Sequence, residues 1–119
     1  MAMGDDNVVL FKSKQFGVRI LNLARHLYKD DKYLLPIIQQ FLRSGTSIGA
    51  NVHESIYGSS RKDFLNKLYI SLKECSETKY WLELLFETNH ISERQFTSIH
   101  DDCVELLRLL TSITKTLKE

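Results

Sequence analysis

The chain has 119 residues, a net charge of +1, 43% hydrophobic and 26% charged residues; that length suits one domain with its own core, and that composition excludes wholesale disorder. The near-neutral balance removes any global electrostatic case for nucleic acid or for an anionic membrane. Cys75 and Cys103 form no C-x-x-C pair, which excludes a zinc knuckle or redox motif and predicts buried free thiols, while no run approaches the ~20 apolar residues of a membrane span and Met1–Asn7 lacks a basic start and an apolar run, so a reducing cytoplasm is expected.

The first helix is predicted from about Ser13 to Lys29, because Phe16, Ile20, Leu23 and Leu27 recur at helical spacing. Asp30-Asp31 marks its exit. A second helix starts near Leu35, with Pro36 in the first turn where its missing N–H is harmless, and continues to about Tyr57. Ile38, Phe41, Gly45, Ile48 and Val52 form its inner face. Gly45 and Gly49 remove bulk there, which points to a close neighbour or a bend.

Gly58-Ser59-Ser60 separates the second helix from the third, with Ser60 as N-cap and Asp63 favouring the positive helix end. The third helix extends to about Thr88 and places Phe64, Leu65, Leu68, Leu72, Cys75, Leu82 and Phe86 on one core-facing arc. In the fourth, about 93–118, Ser92 and Gln95 form a capping box ahead of Phe96, Ile99, Cys103, Leu106, Leu110, Ile113 and Leu117. Short connections between four such helices predict an all-α, antiparallel up-down-up-down four-helix bundle occupying residues 1–119 as one domain.

Several residues exceed what such a core needs. Val18, Leu21 and Tyr28 on the first helix, and Ile70, Tyr80, Trp81 and Leu84 on the third, fall away from the core arcs and form a candidate oligomer interface. Lys12, Lys14, Arg19, Arg25 and Lys29 are uninterrupted by any acid and form a candidate nucleic-acid-binding helix, whose phosphate contacts would be salt-sensitive. Multiple copies would strengthen such a patch. Arg43, Ser44, Ser47, Asn51 and Glu54, with Glu74 and Glu77 opposite, form a candidate structural polar edge.

Enzyme chemistry finds no support in the pattern. Paired Glu-x-x-His motifs of a di-iron bundle are missing, since the one match, Glu87 to His90, falls at a helix end. No serine or cysteine has a recognisable elbow or informative histidine spacing, and His26, His53, His90 and His100 are scattered. No catalytic residue, metal or cofactor is therefore expected.

The segment Arg43-Ser44-Gly45-Thr46-Ser47-Ile48-Gly49-Ala50-Asn51-Val52-His53-Glu54, with Ser60-Arg61-Lys62-Asp63-Phe64, Lys67-Leu68 and Leu72-Lys73-Glu74-Cys75-Ser76-Glu77-Thr78-Lys79-Tyr80-Trp81-Leu82, resembles the bacterial four-helix bundle proteins encoded in intervening sequences of large-subunit (23S) rRNA genes. The resemblance spans nearly the whole chain and implies a homopentamer. It gives Arg43, Asn51, Glu54 and Glu77 packing roles. Similar bundles serve as accessory proteins of diversity-generating retroelements, where a basic pentameric barrel binds nucleic acid and a reverse transcriptase; a net charge of +1 departs from that basic surface. The expected function is a non-enzymatic homo-oligomeric scaffold associating with RNA or a nucleic-acid-processing protein through the first helix. The alternative is a protein–protein interaction module with no nucleic-acid role.

Overall fold

The computed structural model describes the backbone of residues 4–118 and the side chains of residues 8–118, so the expectation for Met1–Asn7 falls outside the described side chains. Four helices, α1 (Gly4–Asp30), α2 (Leu35–Ser55), α3 (Arg61–Glu87) and α4 (Glu93–Lys118), are joined by short turns. Each packs on the next, and α4 closes back on α1. This is the antiparallel four-helix bundle expected, drawn out into a rod of 44 × 22 × 19 Å. Its length follows from helices of up to 27 residues, which rise about 40 Å. No helix among the described residues is long and apolar enough to cross a membrane.

The caps act as the sequence requires. Ser60 Oγ accepts from the Asp63 amide at 3.1 Å, and Ser92 and Gln95 exchange reciprocal bonds of 2.9 and 3.1 Å. Each pair satisfies amide donors that the first helical turn leaves free. The end of α3 was not foreseen in this form. Asn89 takes a left-handed backbone, φ 64°, while the His90 amide bonds Leu85 O at 2.9 Å and the Asn89 amide bonds Phe86 O at 3.0 Å. That is a Schellman stop with asparagine in the position glycine usually holds.

Two boundaries differ from expectation. A short 3-10 turn, Lys32–Leu34, follows α1, with Asp31 accepting from the Tyr33 amide at 3.0 Å. More consequentially, α1 begins at Gly4 rather than Ser13. Ser13 resembles a helix start but is fully buried inside the helix, its hydroxyl bonded back to Leu10 O at 3.2 Å. A serine can satisfy itself this way in mid-helix, and its small side chain lets α2 approach.

The core runs the length of the rod through Phe16, Ile20, Leu27, Phe41, Ile48, Leu68, Leu82, Leu106 and Leu110. On α3 the expected arc needs correction: Leu65, Leu72 and Phe86 are only half-buried, while Ser71, Thr78 and Leu85 are fully inside. Small polar residues take core positions because α3 lies close to α2. Ser71 Oγ donates to Ile48 O at 2.8 Å, and Thr78 Oγ1 donates to Ser44 Oγ at 2.9 Å. Buried hydroxyls are tolerable only when bonded in this way.

Cys75 and Cys103 meet across the α3–α4 contact as buried free thiols, 3.9 Å apart. Each reaches the other's backbone carbonyl, at 3.4 and 3.5 Å. The hydrogen bond with Cys75 and then burial push the Cys103 thiol far above its ordinary range.

On its other side, α2 is pressed against α1. A β-carbon at Gly45 would lie 2.7 Å from two carbons of the buried Ile20, and one at Gly49 would lie 3.1 Å from Ser13 O. Ile20 is itself fully buried, so accommodating a β-carbon at Gly45 requires Ile20 or the helix spacing to shift. Gly45→Val is therefore expected to destabilise the protein by about 1–3 kcal/mol through overpacking, read as a lower urea midpoint with an unchanged slope; an unchanged midpoint would show that the α1–α2 contact is loose.

Candidate interaction surface

The candidate residues separate onto four parts of the surface. Along the α1–α4 seam, Lys12 Nζ pairs with Glu105 at 2.7 Å, and Arg19 pairs with Asp102 at 2.6 Å while also reaching Ser98. Two of the five basic candidates are thus neutralised by the protein's own acids. Lys14, Arg25 and Lys29 lie on the opposite flank of α1, exposed, and take part in no ion pair among the described residues.

That flank also carries apolar side chains. Val18, Leu21 and Tyr28 are 48%, 52% and 43% exposed. Leu10, Lys14, Val18 and Leu21 border a shallow groove of about 460 Å³ between α1 and α2, with Gly17, Thr46, Gly49, Ala50 and His53 completing it. Phe11, 65% exposed, joins the same stripe and was missed because the helix was expected to begin after it. Its signal was present, since Phe11 lies seven residues before Val18.

The third-helix candidates divide. Ile70 and Tyr80 are 43% and 55% exposed. Trp81 and Leu84 are half-buried, and Trp81 packs on the core, so its expected placement in the solvent is corrected. An indole can be buried on one side while its N–H finds a partner. Here the indole Nε1–H donates to Glu77 at 3.0 Å, and the ring meets Tyr80 edge-on at 5.0 Å.

The polar edge lies over the α2–α3 seam. Arg43 reaches across to Glu74 at 2.8 Å and to Glu77, and is steadied by Gln40 at 3.2 Å. Glu54 is joined to Lys67 at 3.1 Å. Ser44 contributes from inside, through Thr78. Ser47 and Asn51 do not cross the seam: they bond the Arg43 and Ser47 carbonyls of their own helix at 2.6 and 2.8 Å. Their short polar side chains reach backbone one turn earlier more readily than they reach α3.

The remaining polar clusters are built for docking elements together. His100 meets Glu83, which also holds Lys79, at 3.1 and 2.9 Å. Thr88, His90 and Asp31 form a hydroxyl–imidazole–carboxylate chain of 2.8 and 3.3 Å. The Thr88 hydroxyl lies within hydrogen-bond distance of both Leu84 O, at 2.8 Å, and His90 Nδ1. The chain ties the end of α1 to the turn between α3 and α4.

Glu77 is held below the usual carboxylate range, first by the Arg43 hydrogen bond and then by that of Trp81, against a smaller effect of burial. A depressed folded-state value means the stabilisation is complete above the unfolded group's value and lost as pH falls through the folded one. Melting temperature should therefore fall between neutral and strongly acidic pH, and Glu77→Gln should flatten the low-pH end of that profile. Superimposable wild-type and Glu77→Gln profiles would exclude the Arg43–Glu77 contact as a source of stability.

Comparison with known proteins gives a consistent picture. The family described as 23S rRNA-intervening sequence protein matches residues 5–112. No curated protein matches. Among solved structures, a protein of unknown function from the S23 ribosomal protein family of Bacteroides thetaiotaomicron VPI-5482 is 51% identical, with a TM-score of 0.89 over 93% of this chain and 98% of its own.

Proposed function

Because the chain belongs to the 23S rRNA-intervening sequence protein family, we propose that it acts as a non-enzymatic scaffold assembled from several copies of itself. The observation that carries the proposal is the presence of two separate helix faces with exposed apolar side chains. Val18, Leu21 and Tyr28 lie on α1, Ile70 and Tyr80 lie on α3, and all are between 43% and 55% exposed. Withdrawing apolar surface from water is worth roughly 25 cal/mol per Å², and one isolated bundle forgoes that gain along both stripes. A homopentamer, the assembly implied by the sequence resemblance, is a ring, and a ring needs two different, mutually complementary patches on each subunit.

Multi-angle light scattering tests this directly. At tens of micromolar the wild type should have a mass several times the 13.9 kDa of one chain. Leu21→Glu with Ile70→Glu should return it to one chain while keeping the helical circular dichroism. A wild type that stays monomeric would refute self-assembly.

A second proposal, binding of RNA through α1, is favoured by Lys14, Arg25 and Lys29, which have no acidic partner in the subunit. Contacts of this kind weaken with salt as counterions are released less favourably. Fluorescence anisotropy with a structured RNA should show salt-sensitive binding that is lost when these three residues are changed to Glu. Absence of binding at low salt would leave the protein–protein interaction module as the alternative to a nucleic-acid role.

A further inference from the structure

Gly17 has no internal explanation. Gly45 and Gly49 give room to α1, but a β-carbon at Gly17 would meet nothing within 4 Å. A glycine in mid-helix is less stable than alanine, so within one subunit Gly17 weakens α1 without a compensating contact. It lies in the open groove between α1 and α2, beside Val18 and Leu21. A missing side chain on a groove floor is useful where another backbone approaches closely.

The chain carries a stripe that matches this groove. Along α1, Lys14, Val18, Leu21 and Arg25 recur at four-three-four spacing; along α3, Glu77, Tyr80, Leu84 and Glu87 recur at three-four-three. Each set places two apolar residues between two charges, and the signs are opposite. At 1.5 Å per residue the sets span about 16 and about 15 Å. Lys14 and Arg25 have no acidic partner in the subunit, and Glu87 has no basic one, among the described residues, whereas Glu77 is already held by Arg43 and the Trp81 indole.

We propose that the α1–α2 groove of one copy receives the Glu77–Glu87 stripe of α3 from a second copy. Tyr80 and Leu84 seat against Val18 and Leu21 over Gly17, Arg25 meets the unpaired Glu87, and Lys14 lies beside Glu77, which Arg43 also holds. This contact rests on the scaffold proposal and specifies its interface. Groove and stripe are different faces, so every subunit offers one of each and the copies join head to tail. This contact competes with RNA for Lys14 and Arg25, so the two proposals cannot both draw on these cations in one assembly.

The test uses the full chain and four light-scattering samples: wild type, Gly17→Leu, Tyr80→Glu, and an equal mixture of the two variants. The first variant blocks the groove and keeps the stripe, and the second does the reverse. Each alone should be a single chain, and the mixture should form a dimer and nothing larger. Gly17→Leu should melt no lower than the other monomeric variant, which separates a blocked groove from a damaged fold. Arg25→Glu should weaken assembly, and adding Glu87→Arg should restore it. A monomeric wild type would overturn the scaffold proposal and this one together. A multimeric wild type with unaltered assembly in Gly17→Leu would overturn only this contact, as would a mixture that stays monomeric. Loss of RNA binding in Lys14→Glu/Arg25→Glu with assembly unchanged would assign those cations to RNA and overturn their role here.

Discussion

The close seating of α2 between its two neighbours is the constraint on which the rest of the bundle depends. On one side a β-carbon at Gly45 would overlap Ile20, and one at Gly49 would press tightly on the Ser13 carbonyl. On the other, Ser44 and the Ile48 carbonyl receive hydroxyls from Thr78 and Ser71. Larger side chains on either flank would drive the helices apart and leave the Ser71 hydroxyl unpaired in the core, where a lost partner costs about 1–3 kcal/mol, while Thr78 would keep only the Glu74 carbonyl of its own helix. Packing and hydrogen bonding therefore fix the same spacing.

A thin α2 also shapes the outer surface. With small residues at Thr46, Gly49 and Ala50, the line between α1 and α2 is a groove rather than a ridge. Over the α2–α3 line the reverse holds, because Arg43 bridges to Glu74 and Glu77 and covers the seam with charge. One helix thus has an open apolar border on one side and a closed polar border on the other. The two borders differ because the α3 side contributes long carboxylates and an indole, whereas the α1 side contributes Gly17 and Val18.

Much of this was legible in the sequence, for identifiable reasons. The inner faces of α2 and α4 repeat without interruption, and Ser60 and Ser92 begin their helices with unambiguous caps, so those elements could be placed closely. Ser13, Ser71 and Thr78 were harder. Periodicity treats a small polar residue as an edge or a start, whereas these three are buried because each hydroxyl finds an acceptor: Ser13 on its own helix, Ser71 and Thr78 on α2, which only the folded chain brings near. The split of the basic residues was half visible: the seven-residue interval from Lys12 to Arg19 put them on one flank, but the acids that neutralise them, Glu105 and Asp102, belong to a helix far along the chain. Asn89 gave little warning, since its left-handed backbone is imposed by the end of α3.

The paired thiols bear on how the molecule opens. Cys75 and Cys103 face each other between α3 and α4, away from the helix ends and shut away from water. Fraying at either end of the rod leaves them covered. Small fluctuations and complete opening differ widely in free energy within one protein, and these sulfurs are placed to record only the rarer kind. Their reaction with a thiol reagent would therefore report separation of the two C-terminal helices rather than fraying of the rod.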